Sequence, residues 1–285
     1  MKRLILLSCA PLLANSLSAG WESDREAAQK GLKFLADEAP KWASSHKCFG
    51  CHVHAVTMEA FVVGKHHQYD VPKSAFQKIL TDMLDGPGGS RDKHGFSYKG
   101  GTLLAPSKAF GGAALAHYDQ HVDDLVLDDL METAKSLQKF QDPTTGKMNT
   151  GWTNRPVGAG DTQTTFQAIQ TWRQAYARSA DPAWLTPLRL AEKYLGSVAE
   201  GLQNQPNANI QELNYALLGL SEAGAQRTES HIATLVGHLL ERQKEDGGWG
   251  LNGGKSDAFA TGQTLYTLRK LGLTEEDEPV RKGTD

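Results

Sequence analysis

Apolar side chains recur along the chain at intervals of three and four residues. Nowhere do they fall into the strict alternation of a half-buried strand. The pattern predicts five pairs of helices. The first members cover 24–36, 73–85, 123–140, 183–203 and 229–243, and the second members cover 52–67, 104–119, 162–178, 209–223 and 257–271. The second members begin about 45 to 58 residues apart, a spacing that marks an internal repeat. They also share a composition: TTFQAIQTWRQAYA, ELNYALLGLSEAGA and FATGQTLYTLRKLGL are rich in Ala, Leu and Thr and poor in charge. Such helices are covered on most sides. The first members are more charged, and VDDLVLDDLMETAKSLQKF presents Asp123, Asp124, Asp128, Glu132 and Lys135 to solvent. The expected fold is all-α, with outer helices packed around inner ones.

The connections from outer to inner helices are long and Gly-rich: DGPGGSRDKHGFSYKGGT (85–102), DPTTGKMNTGWTNRPVGAGD (142–161) and EDGGWGLNGGKSD (245–257). In a closed ring of hairpins they emerge together at one end. Gln243, Gly247 and Trp249 fit a QxxxGxW pattern, and Gln141, Gly151 and Trp152 give a looser copy. This pattern resembles the repeat of the terpenoid cyclases and prenyltransferases, and 243–272 is similar to a squalene–hopene cyclase repeat. The resemblance implies an α/α toroid in which Gln and Trp tie neighbouring helices together. It does not carry cyclase activity. The protonating Asp cluster has no counterpart, and the acidic run 123–129 reads as a solvated helix face. Asp161, Glu212 and Asp257 stand at inner-helix starts and read as caps.

The loop of the first pair contains SSHKCFGCHVH (44–54). Cys48-Phe49-Gly50-Cys51-His52 is similar to the attachment site of c-type cytochromes. Two thiols at this spacing reach the two vinyl groups on one edge of haem, and the histidine behind them is carried under the ring. The resemblance implies one covalent haem c on Cys48 and Cys51, with His52 as the proximal iron ligand. It covers five residues and does not imply the small cytochrome c fold. The haem would sit at the mouth of the ring. Phe49, Phe96, Tyr98 and Trp152 are candidates to pack on the porphyrin. His54 and Met58 lie too close along the same helix to reach the other side of the iron, which leaves His94 or Met148 from the mouth loops as distal ligands. His66, His67, His117, His121, His231 and His238 read as structural.

The start of the chain changes the picture of where it works. Lys2 and Arg3, the apolar stretch Leu4–Leu13 and small residues up to Ala19 have the layout of an export signal over 1–19. Cleavage removes two of the 30 basic side chains and none of the 33 acidic ones. An acidic chain is not drawn to nucleic acid or to an anionic membrane surface. No stretch is long enough for a stable membrane span. Of three cysteines only Cys48 and Cys51 then remain. The expected organisation is a signal peptide over 1–19, a toroid domain over 20–273 and a polar C-terminal tail over 274–285, in a periplasmic or secreted protein.

Three functions compete. The first is electron transfer with a redox partner protein, which needs only an accessible haem edge. The second is a haem peroxidase or oxygenase acting on a hydrophobic, isoprenoid-like small molecule in the toroid cavity, with Arg91, His94 and Arg155 available in the mouth loops. The third is a haem-based ligand sensor.

Overall fold

The computed structural model describes residues 11–46, 51–86, 91, 104–150, 153–224 and 229–284, and side chains from Glu22 onward except those of 43, 44, 46 and 51. Within them lie eleven α-helices and no strand. They are α1 (Pro11–His46), α2 (Cys51–His66), α3 (Lys73–Asp85), α4 (Leu104–His121), α5 (Leu127–Gln138), α6 (Asp161–Ser179), α7 (Leu185–Leu202), α8 (Ile210–Glu222), α9 (Ser230–Leu240), α10 (Ala258–Lys270) and α11 (Glu278–Thr284). A short 3-10 turn, Pro182–Trp184, leads into α7. None of the described helices is long and apolar enough to cross a membrane.

The five predicted pairs are present as α1/α2, α3/α4, α5/α6, α7/α8 and α9/α10. The second members pack in chain order, α2 on α4, α4 on α6, α6 on α8 and α8 on α10. The first members lie across them, with α5 against both α4 and α6 and α7 against both α6 and α8. Composition explains this division. In α4 and α6 nearly every side is covered, because Ala, Gly, Thr and Gln let helices approach closely. In α3, α5, α7 and α9 a single apolar stripe is buried, such as Leu188, Ala191, Leu195, Ala199 and Leu202 in α7. Two cores result. One gathers Phe61, Phe76, Ile79, Leu115 and Leu130 around α2–α5, and the other gathers Trp172, Trp184, Leu213, Leu239 and Trp249 around α5–α11.

Three expectations need correction. The first helix is much longer than 24–36 and runs through Pro40 to His46, because Ala39 continues the stripe begun by Leu32. The polar tail contains a helix, α11, which buries Val280 and packs on α10. The acidic run 123–129 is not wholly solvated. Asp129 is buried and receives both Nε and Nη2 of Arg91, at 2.9 and 2.5 Å.

The Gln-Gly-Trp repeat has a concrete structural meaning. Gln243 donates its side-chain amide to the carbonyls of Gly247 and Pro279, each at 2.7 Å. Gly247 has φ +81, and a Cβ there would run into the Lys282 carbonyl. Trp249 is fully buried, and its indole donates to the Leu239 carbonyl of α9 at 2.7 Å. Its backbone N–H donates to Thr261 in α10. The same set recurs two pairs earlier, between α5 and α6, shifted by one inserted residue. Gln141 donates to the carbonyls of Gly146 and Pro187. Gly146 has φ +80 and meets the Leu190 carbonyl, and the Met148 N–H donates to Thr165 in α6. Gln141, Gly146 and Met148 therefore reproduce the set, while Gly151 and Trp152 lie outside the described residues.

Of the expected caps, Asp257 caps α10 by accepting from the Ala260 N–H. Asp161 instead accepts from the N–H and hydroxyl of Thr150, so its carboxylate fastens the loop.

Candidate functional site

Cys48, Phe49, His94, Phe96, Tyr98 and Trp152 lie outside the described residues, as does the side chain of Cys51. Cys51 is the first residue of α2, so His52 stands in the first turn of that helix. Its imidazole is half-buried. The Trp42 ring of α1 meets it edge-on with centroids 5.9 Å apart, and Phe110 of α4 lies 6.3 Å away. Burial, and then the charge of nearby His54, hold its pKa below the ordinary value. At neutral pH this imidazole is neutral and has a lone pair to offer a metal.

The neighbouring groups of α2 are committed elsewhere. His54 is fully buried, with Nε2 3.5 Å from Asp82 of α3. Met58 is fully buried in the core around α2–α5. Neither shares the face of His52. Met148 is also fully buried, within the core around α5–α11, in the position that Trp249 holds two repeats later. Arg91 is tied to Asp129. Arg155 is exposed.

At the opposite end of α2 and α4 the structure groups histidines that the sequence left scattered. The His66 ring lies 5.0 Å from His67 and 4.6 Å from His121, and His121 lies 6.2 Å from His117. His117 and His121 border a cleft of about 690 Å³ that also takes in Arg173, Glu222 and Lys270. Burial, followed by the charges of Lys270 and His121, pushes the His117 pKa down to about 4. Among the described residues no three His, Cys, Asp or Glu side chains converge to hold a metal ion.

Sequence reasoning also missed Glu59. It follows His52 by seven residues, two turns along the same face of α2. Burial alone pushes its carboxyl up to about 8, and its Oε1 has no hydrogen-bond partner among the described residues. One acidic residue in an apolar helix gives no signal of its own in the sequence.

No family model matches the chain, and no characterised protein matches it in sequence.

Proposed function

We propose that the chain is an exported mono-haem c-type cytochrome built on a ring of helix hairpins, and that it transfers electrons. Cys48 and Cys51 hold the haem by thioether bonds and His52 ligates its iron. The observation that carries this reading is the CxxCH motif at the head of α2, in a chain whose only other cysteine is Cys9 in the export signal. The half-buried, neutral imidazole of His52 supports it, as does the aromatic setting supplied by Trp42 and Phe110. When bound, the haem supplies a one-electron couple. The protein holds the imidazole in one orientation and keeps water from that side of the ring, which sets the potential.

The toroid belongs to the same proposal. Consecutive packing of α2, α4, α6, α8 and α10, with the other helices outside, supports it. So does the Gln-Gly set that ties two of the Gly-rich loops, 142–161 and 245–257, to the outer helix that follows. On the distal side we assign His94, because Met148 fills a core position. The engagement of Arg91 by Asp129 favours electron transfer over peroxidase chemistry, since it removes one of the two mouth arginines from a distal role.

The test is the optical spectrum of protein made in a host with cytochrome maturation. Sharp reduced bands that carbon monoxide does not alter are expected from two protein ligands. A spectrum that shifts with carbon monoxide or peroxide means an open sixth position and favours the oxygenase or sensor. Colourless protein with free thiols ends the haem reading.

A further inference from the structure

We propose that the cleft at the far end of the helix pairs from His52 is a binding site for an uncharged, polyhydroxylated ligand in the chemical class of hexose sugars. The cleft holds about 690 Å³, within the range of small-molecule sites. It lies where helices end. His121 closes α4, Tyr176 and Ala177 stand at the end of α6, Glu222 closes α8 and Lys270 closes α10. Leu185 and Leu188, from the start of α7, complete it. No residue of the haem reading lines this cleft, so the site stands without that reading.

Charge decides the class of ligand. Arg173 and Lys270 bring two positive charges to the lining, and Glu192 and Glu222 bring two negative ones. They form two opposite couples. Lys270 Nζ lies 3.9 Å from Glu222 Oε1, and the charge of Arg173 acts on Glu192. Burial holds His117 and His121 below their ordinary pKa, so both are neutral at pH 7. The lining is therefore neutral as a whole. A ligand of either charge meets as much repulsion as attraction from the side chains, and the negative ends of four helices act further against an anion.

Hydrogen bonding points the same way. Arg173 and Lys270 are donors only, and ionised Glu192 and Glu222 are acceptors only. Gln170 is 9% exposed and donates its amide to His117 Nε2 at 3.3 Å. That bond fixes the side chain and leaves its oxygen as a further acceptor. A hydroxyl both donates and accepts, so a ring of hydroxyls serves all of these groups at once. The cleft also has apolar surface for the C–H face of a sugar ring. Tyr176 is 38% exposed there, and Ala177 and Leu185 add to it.

Saturation-transfer NMR and isothermal titration of the full chain with glucose, maltose and cellobiose test the site, in haem-loaded and colourless preparations alike. Saturable one-to-one binding of at least one of these sugars is expected at pH 7. Arg173→Ala and Glu192→Ala are each expected to weaken it about tenfold, as loss of a hydrogen bond to a charged group does. Tyr176→Ala is expected to weaken it about threefold or more. Arg173 and Tyr176 are exposed, so both variants are expected to fold. Glucuronate, a hexose ring with a carboxylate, is expected to bind no more tightly than the neutral sugars. No saturable binding of any of the three, unchanged affinity in Arg173→Ala or in Tyr176→Ala, or glucuronate binding tighter than every neutral sugar each overturns the proposal. The last result would make the cleft an anion site. Colourless protein that still binds sugar separates failure of the haem reading from failure of this site.

Discussion

Gln243 donates its side-chain amide to the Pro279 carbonyl and thereby ties the last Gly-rich loop to α11. Because Gln141 makes the same bond to Pro187 of α7, α11 takes the place of an outer helix for a sixth pair. It is an integral part of the repeat. Gln243→Ala is expected to destabilise the protein by about 1–2 kcal/mol, since it leaves two carbonyls without their donor. Gly247→Ala is expected to cost more, at least about 2 kcal/mol. A side chain there faces both the positive φ and the Lys282 carbonyl. Urea unfolding measures both. A Gly247→Ala variant as stable as the native chain would show that α11 does not pack on this loop.

Met148 offers a clean separation of ligand from core residue. As a buried thioether among Trp172, Trp184 and Leu188, it is expected to tolerate Met148→Leu at a cost below about 1.5 kcal/mol. Met148→Ala is expected to cost about 2–5 kcal/mol through the cavity it leaves. Neither change is expected to alter the haem spectrum. Loss of a low-spin signature in Met148→Leu would make the sulfur an axial ligand and refute the structural role.

Arg91 and Asp129 are unequal partners, and the two single substitutions are expected to differ. The Asp129 side chain is 8% exposed and that of Arg91 is 51% exposed. Removing the carboxylate by Asp129→Ala lets the guanidinium turn to water. Removing the cation by Arg91→Ala takes two charge-assisted hydrogen bonds from a buried carboxylate. Arg91→Ala is therefore expected to be the more destabilising, by about 1–3 kcal/mol. Thermal or urea denaturation of both variants at low and high salt gives the comparison. Equal losses would mean that Asp129 reaches water without Arg91.

The helix pairs were legible because segments with a 3.6-residue stripe and a charged opposite face alternate with charge-poor segments rich in Ala, Leu and Thr, and no strand period competes. The ends were less legible. In TEEDEPVRKGTD a single apolar residue, Val280, anchors α11, and one residue sets no period. Pro40 argues for a helix end on intrinsic grounds, yet α1 continues because Ala39 finds a core. The second copy is hard to see for a related reason. One inserted residue and a Met in place of Trp hide the match of Gly146 and Met148 to Gly247 and Trp249. For the candidate site, local spacing in CFGCH carried all the chemistry. What faces it from other helices, such as Trp42, Phe110 and the lone carboxyl of Glu59, depends on packing that no local pattern encodes.

Glu59 also makes a signed prediction about pH. Burial raises its carboxyl from an ordinary value near 4.5 to about 8 in the folded chain. Between those two values the folded state keeps a proton that the unfolded state has released. Stability then falls as pH rises through this window, and the loss is complete above about pH 8. His117 works in the opposite part of the scale. Its pKa is lowered from 6.5 to about 4, so it withdraws stability as pH falls from about 6.5 towards 4. Glu59→Gln removes the first slope and leaves the second. The variant is expected to gain on the native chain from about pH 4.5 to 8 and to hold a constant advantage above that, with little change below pH 4.5. Urea unfolding midpoints across this range provide the measurement. A constant offset between the two proteins at every pH would place the Glu59 carboxylate in contact with water and remove the basis for a desolvated acid on α2.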